Sequence, residues 1–240
     1  MSNRVSSRLK KLFLGKDQNL VSLDDPYATI ADLLGYVSVR GILDAGASNG
    51  HIAQRLLGLF PLATAYAFEP NPAYRPVLDN LAARDPRIRP QYVALSDHEG
   101  TENLFITESA GNTSLLAPNQ TLQNLSPDGS QVRSVTPVEV LSLDAWAEKN
   151  GVKSIEVMKF DIQGGELKAL HGATRMLQTH TRLVYTEVWF NPSYREGPVL
   201  SDIDLFLRDV GFLLQDFYRP KYGPGRRLLW ANALYIKADL

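Results

Sequence analysis

From Gly41 onward, short apolar runs alternate with segments whose apolar residues recur at helical spacing. Gly41-Ile42-Leu43-Asp44-Ala45-Gly46 predicts a strand, and Ile52, Leu56, Leu59 and Phe60 then share one helix face. A second strand, Ala65-Tyr66-Ala67-Phe68-Glu69, precedes a helix in which Tyr74, Val77, Leu78 and Leu81 repeat at i, i+3, i+4 and i+7. Pro72 and Pro76 blur its start, because proline suits a first helical turn but removes a hydrogen bond deeper in. A third strand ends near Tyr92-Val93-Ala94-Leu95. Residues 155–160 predict another, followed by one helix carrying Leu167, Leu170, Thr174 and Leu177. After Leu183-Val184-Tyr185, Ser201 and Asp204 resemble a capping box ahead of Ile203, Phe206, Leu207 and Val210. The runs at 212–214 and 231–236 have no helical segment between them and could pair antiparallel.

This rhythm of nearly continuous apolar strands and amphipathic helices predicts an α/β fold. Its mostly parallel, doubly wound sheet is covered by helices on both faces, with an antiparallel final strand. The ligand crevice belongs beyond the carboxyl ends of the strands. Residues 37–240 form the expected domain, and residues 1–36 a helical extension in which Val5, Leu9, Leu12 and Phe13 are set among basic residues. That stripe could lie across the domain or weakly touch an anionic membrane surface. Between 101 and 140 the rhythm breaks into a polar stretch, entered by a possible hairpin strand over 103–107, and an irregular insertion beside a crevice reads as a lid.

Composition narrows the field. The 25 basic and 26 acidic side chains of the 240 residues balance to a net charge of -1, which argues against nucleic acid as a partner. The absence of cysteine excludes disulfides, thiolate metal sites and cysteine nucleophiles, and fits the reducing cytoplasm. No apolar run is long enough to span a bilayer, and the first is too short for a signal sequence. Oligomeric state is left open.

Asp44-Ala45-Gly46-Ala47-Ser48-Asn49-Gly50 falls between strand and helix, where an open α/β sheet places its nucleotide turn. The spacing is Asp-x-Gly-x-x-x-Gly rather than the dinucleotide pattern, and an aspartate there repels pyrophosphate while suiting an ammonium group. Glu69 ends the second strand, where a carboxylate can accept hydrogen bonds from both ribose hydroxyls. Ala94-Leu95-Ser96-Asp97 and Lys159-Phe160-Asp161-Ile162-Gln163-Gly164-Gly165-Glu166 bring further carboxylates to the crevice.

Together with Phe68-Glu69-Pro70-Asn71-Pro72, Val93-Ala94-Leu95-Ser96-Asp97-His98-Glu99-Gly100 and Leu170-His171-Gly172-Ala173, these motifs resemble the FkbM-type methyltransferase family over roughly residues 41 to 190. The resemblance implies a Rossmann-like class I fold with S-adenosylmethionine as methyl donor. It implies Asp44, Gly46 and Gly50 near the methionine end, Asn49 opening the helix, Glu69 on the ribose, Ser96 and Asp97 in the adenine-side loop, and Asp161 beside the reacting methyl. Gln163 departs from the family, where glutamate often stands.

Methyl transfer to a sugar, glycan or natural-product hydroxyl needs alignment and a base, and Asp161 or Glu187 could take the proton. Asp161 could instead orient backbone N–H groups. With Asn191, the two carboxylates could also hold a divalent metal ion such as magnesium, although no spacing rule points to one. His51, His98, His171 and His180 form no metal or triad pattern. Aromatic residues from Tyr185 through Trp189 to Tyr222 and Trp230, with basic residues between Arg219 and Arg227, could wall a small-molecule or saccharide site. A nicotinamide-dependent reductase and an inactive binding scaffold of the same fold are the alternatives.

Overall fold

The computed structural model describes residues 25–239. Its main sheet has seven strands in the order β3-β2-β1-β7-β8-β10-β9. These are β1 (Gly41–Ala45), β2 (Thr64–Phe68), β3 (Ile88–Gln91), β7 (Val157–Phe160), β8 (Leu183–Trp189), β9 (Phe212–Tyr222) and β10 (Leu228–Lys237). β10 runs antiparallel to both β8 and β9, and every other pairing is parallel.

The central strands β1, β7 and β8 are buried at every residue, so their alternation is between two cores rather than between core and water. Leu43, Ala45, Phe68, Met158, Phe160, Val184 and Val188 face one side, with helices α5 (Leu143–Lys149), α6 (Glu166–His171), α7 (Thr174–Thr179) and α8 (Leu200–Asp209). Ile42, Ala65, Ala67, Val157, Leu183 and Tyr185 face the other, with α1 (Pro26–Leu33), α2 (His51–Leu59) and Leu81 of α3 (Arg75–Arg84). α1 starts on Asp25, whose side chain accepts from the Tyr27 N–H, and buries Tyr27 and Ile30. The basic stripe of the first sixteen residues lies outside the described part. Among the described residues, no helix is long and apolar enough to cross a membrane.

Three elements differ from the sequence expectation. The third strand is divided: β3 stays in the main sheet, whereas β4 (Ala94–Leu95) joins a second sheet of order β4-β6-β5 with β5 (Gly100–Thr107) and β6 (Val132–Leu141). Much of the stretch read as irregular is therefore a β5·β6 ladder, and α4 (Gln120–Leu125) lies between those strands in sequence. The helix expected to run from Leu167 to Leu177 breaks into α6 and α7. Gly172 sits so close to the Ser96 carbonyl oxygen that a Cβ there would lie 2.0 Å from it. Asp144 of α5 then accepts from the Arg175 and Met176 N–H groups at 2.7 and 3.0 Å, starting α7 anew. Finally, α8 is closed by Asp202 accepting from the Val199 N–H at 2.9 Å, while Asp204 pairs with Arg208.

Candidate active site

After β1 the chain builds outward to β2 and β3, and then returns to β7 on the opposite flank of β1. The crevice predicted by that reversal lies beyond the ends of β1 and β7. Gly46, at φ +74°, packs directly on the Asp161 carbonyl oxygen: a Cβ would approach it to 2.0 Å. Only glycine lets the two strand ends meet this closely. The N–H groups of Gly46 and Ala47 both donate to the Phe68 carbonyl, which ties the turn to β2. Gly50, at φ +75°, opens α2, and Asn49 is exposed with its side chain accepting from the His51 N–H at 3.1 Å.

Two cavities meet at this crevice. The first, of about 270 Å³, is lined by Gly46, Ser48, Glu69, Asn71 and Ile162 and by apolar Phe68, Val93, Leu95 and Leu104. Glu69 is only 6% exposed. Its carboxylate accepts from the Ser48 N–H at 2.8 Å and the Asn71 N–H at 2.9 Å, and burial pushes its pKa up. A carboxylate offering its remaining lone pairs, flanked by flat apolar wall, fits an adenosine ligand. Ser96 and Asp97 do not line this cavity. The chain turns into the second sheet before reaching them, so Val93, Ala94 and Leu95 form the wall, while the Ser96 hydroxyl sits among Asp97, His98 and Glu102.

Asp44 is fully buried and turned away from both cavities. In the parallel register it stands beside Lys159, which stands beside Tyr185. The Lys159 ammonium lies 3.0 Å from Asp44 Oδ1 and donates to the Ala45 and Gly46 carbonyls at 3.2 and 3.1 Å. Asp44 Oδ2 accepts from the Ala53 N–H at 3.0 Å. Burial works against the lysine charge, but the carboxylates of Asp44 and Asp161 outweigh it and hold the Lys159 pKa above its ordinary value. Asp44 thus joins the glycine turn to β7 through Lys159 and lines neither cavity.

The second cavity, about 690 Å³, is lined by Lys159, Tyr185, Glu187, Trp189, Trp230 and Asn232, with Tyr27 of α1 and with Arg219, Lys221 and Tyr222 of β9. Asp161, Gln163 and Gly111 border both cavities. Glu187 faces Asn232 across the β8·β10 ladder and is 5% exposed. Burial first, then the nearby carboxylates of Asp161 and Glu166, push its pKa well up. Gln163 lies between the two acids, donating from Nε2 to Asp161 Oδ1 at 2.8 Å and to Glu187 Oε2 at 3.1 Å.

This amide fills the space where a metal ion would have to bind, and Asn191 is turned aside to donate to the Leu228 carbonyl. The donor set therefore does not fit the cation considered from the sequence. No cluster of three or more metal-ligating acids and histidines occurs among the described residues. Sequence reasoning did not single out Lys159, Tyr27 or Asn232. The available signal for Lys159 was a lysine two positions after Val157 in a strand otherwise apolar on both faces, which requires a buried anion beside it.

Comparison with known proteins agrees with this architecture. The family model described as methyltransferase FkbM domain matches residues 44–214. The chain is 34% identical over 172 residues to the 2-O-methyltransferase NoeI of Sinorhizobium fredii (strain NBRC 101917 / NGR234), covering 68% of this chain and 70% of that protein. Among solved structures, the methyltransferase FkbM from Methylobacillus flagellatus KT superposes with a TM-score of 0.56 at 17% identity. That match covers 89% of this chain and 48% of the other, so the present chain spans about half its length. The glycine turn, the acidic strand end and the Asp161 segment all fall within the matched region, and the chain belongs to the FkbM family of S-adenosylmethionine-dependent methyltransferases.

Proposed function

We propose that the protein is an O-methyltransferase acting on a hydroxyl of a sugar, glycan or natural product, with the cofactor in the first cavity and the acceptor in the second. The observation that carries this reading is Asp161, whose side chain is 41% exposed and borders both cavities. When bound, S-adenosylmethionine supplies an electrophilic methyl group on a sulfonium. The chain's own part is to align an acceptor oxygen across the border and to take its proton.

Asp161 is the base of this scheme. The Lys159 ammonium lies 3.9 Å from Asp161 Oδ2, and Gln163 Nε2 holds its other oxygen. Trp189, Trp230 and Tyr222 provide flat apolar faces with polar edges, a surface suited to a pyranose ring. Gly111 touches both cavities and adjoins residues that line one or the other, so the stretch between β5 and β6 serves as the cover that excludes water. Residues 37–240 form the methyltransferase domain in this reading, and residues 1–36 its extension. The relative named for 2-O-methyl transfer supports an oxygen acceptor.

The test is methyl transfer from isotopically labelled S-adenosylmethionine to a panel of mono- and oligosaccharides and polyketide alcohols. The expected product is a methyl ether. Labelled product only on nitrogen or carbon acceptors would overturn the assignment.

Glu69 is assigned to the ribose hydroxyls. Glu69→Gln should weaken cofactor binding by about 10- to 100-fold in calorimetric titration, the range expected for losing a charge-assisted hydrogen bond. With the parent protein, affinity should fall on acidification starting above the ordinary glutamate range, because burial raises this pKa and the protonated acid loses acceptor capacity. Unchanged affinity in the variant would remove Glu69 from the site.

A further inference from the structure

Gln163 occupies a backbone position that its residue type seldom adopts. Its φ is +58°, outside the comfortable range for a side chain with a Cβ, and such strain persists only where surrounding contacts enforce it. Those contacts come from three directions. Ser114, in the stretch between β5 and β6, donates its hydroxyl to the Gln163 carbonyl at 2.7 Å. The Tyr194 hydroxyl meets the amide oxygen at 2.9 Å and also lies 3.3 Å from the Asn112 carbonyl. On its other end the amide nitrogen spends its two hydrogens on Asp161 and Glu187.

With one end against two carboxylates and the other against a phenol, the amide has one favourable orientation. The nitrogen must face the acids, since the oxygen there would meet two further oxygens. Tyr194 is itself 1% exposed and stacks edge-on with Trp189 at 5.9 Å, so its hydroxyl is not free to wander.

We propose that Gln163 is a positioning residue that couples the covering stretch over residues 108–131 to the geometry of the Asp161–Glu187 pair. Ser114, Asn112 and Tyr194 fix Gln163, and Gln163 fixes the two acids at the border of the cavities. The neutral amide matters as much as its shape. Glutamate at this position would bring a fourth carboxylate to join Asp161, Glu187 and Glu166, opposed by the Lys159 ammonium. The groups facing Glu187 are Asp161 and Lys159 from β7 and the loop after it, Glu166 from α6, and Tyr194 from the loop after β8. The functional consequence rests on the assignment of Asp161 and Glu187 to the acceptor site, but the coupling itself does not.

The test therefore reads the acids directly, without methyl transfer. In protein labelled with carbon-13 at glutamate side-chain carboxyls, the Glu187 resonance is identified by its loss in Glu187→Gln and followed against pH. Gln163→Glu is expected to move the Glu187 titration to higher pH through the added negative charge. Gln163→Met, of similar length but without a donor, is expected to move it in the same direction through loss of the hydrogen bond to the charged form. Tyr194→Phe should do so more weakly, and hydrogen exchange of residues 108–131 should accelerate in Gln163→Met and Tyr194→Phe. Circular dichroism establishes that each variant is folded. A Glu187 titration unmoved in both Gln163 variants, or unchanged exchange in the covering stretch, would overturn the coupling. Such a result would leave the O-methyltransferase assignment standing, whereas failure of methyl-ether formation would leave the titration shifts intact.

Discussion

Replacing Asp161 with asparagine is expected to lower kcat by about 10²- to 10⁴-fold, the range over which a positioned general base contributes. Asparagine retains an oxygen that can accept from Gln163 Nε2, now at 2.8 Å from the aspartate, so the local hydrogen bond survives while the proton acceptor is lost. Cofactor binding should persist because Glu69 and the glycine turn are untouched. The measurement is the steady-state rate of S-adenosylhomocysteine release on the acceptor found in the hydroxyl panel, with calorimetric binding of the cofactor as control. Glu187→Gln is the necessary comparison. Burial and two neighbouring acids raise the Glu187 pKa, and Glu187 is 5% exposed whereas the Asp161 side chain is 41% exposed, so Asp161 is the more accessible proton acceptor. A parental rate in Asp161→Asn, with the loss appearing in Glu187→Gln, would transfer the role to Glu187.

Sheet architecture was legible because burial on both faces leaves a plain mark in composition. Strands such as Val157–Phe160 and Leu183–Trp189 are mostly apolar, interrupted by Lys159 and by Thr186 and Glu187, and the helices between them carry single apolar faces. The antiparallel end was legible for a related reason: no α-helix intervenes between the runs that become β9 and β10, which are joined through a short 3-10 turn at Pro224–Arg226. Elements set by a single long-range contact were not. Nothing near Gly172 in the chain announces that the Ser96 carbonyl will press on it and break the helix there. Likewise, the residues after Gln91 could have continued β3, and only their pairing with β6, far along the chain, takes Ala94 and Leu95 into another sheet.

The site shows the same division. The crevice positions of Glu69 and Asp161 were legible, because Glu69 follows one strand end and Asp161 the end of a neighbouring strand across the switch point, and both line the first cavity. Asp44 stands at an equally suggestive place, yet its side chain belongs to Lys159, 115 residues later in sequence and adjacent only once β7 has folded beside β1. Strand parity explains the outcome. Asp44, Lys159, Tyr185 and Glu187 all point to the face that carries α1 and α2, and the register lines up the first three across the sheet. Gln163, which looked like a departure from a motif, is the residue that joins the two acids.

Lys159→Met is expected to destabilise the fold by about 3–5 kcal/mol, the cost of leaving one member of a buried ion pair without its partner. For a domain of this size that corresponds to a fall in Tm of roughly 6–20 °C. The ammonium now reaches Asp44, the Ala45 and Gly46 carbonyls and, at 3.9 Å, Asp161. Without it, fully buried Asp44 keeps, among the described residues, the hydrogen bond of 3.0 Å from the Ala53 N–H. Burial already pushes the Asp44 pKa up, and losing the cation removes the main opposing influence. In the variant this carboxyl holds its proton more tightly folded than unfolded. Its contribution is then fully present below the unfolded pKa and lost as pH rises through the folded one, so the deficit should shrink on acidification. Adding Asp44→Asn should restore much of the lost stability by removing the stranded charge. Thermal melts across pH decide the matter: a single variant as stable as the parent at every pH, or a double variant no better than the single, would show that the pair does not anchor the turn. If the double variant is stable but binds S-adenosylmethionine weakly, the ion pair serves chiefly to hold Gly46 against Asp161, where the two cavities meet.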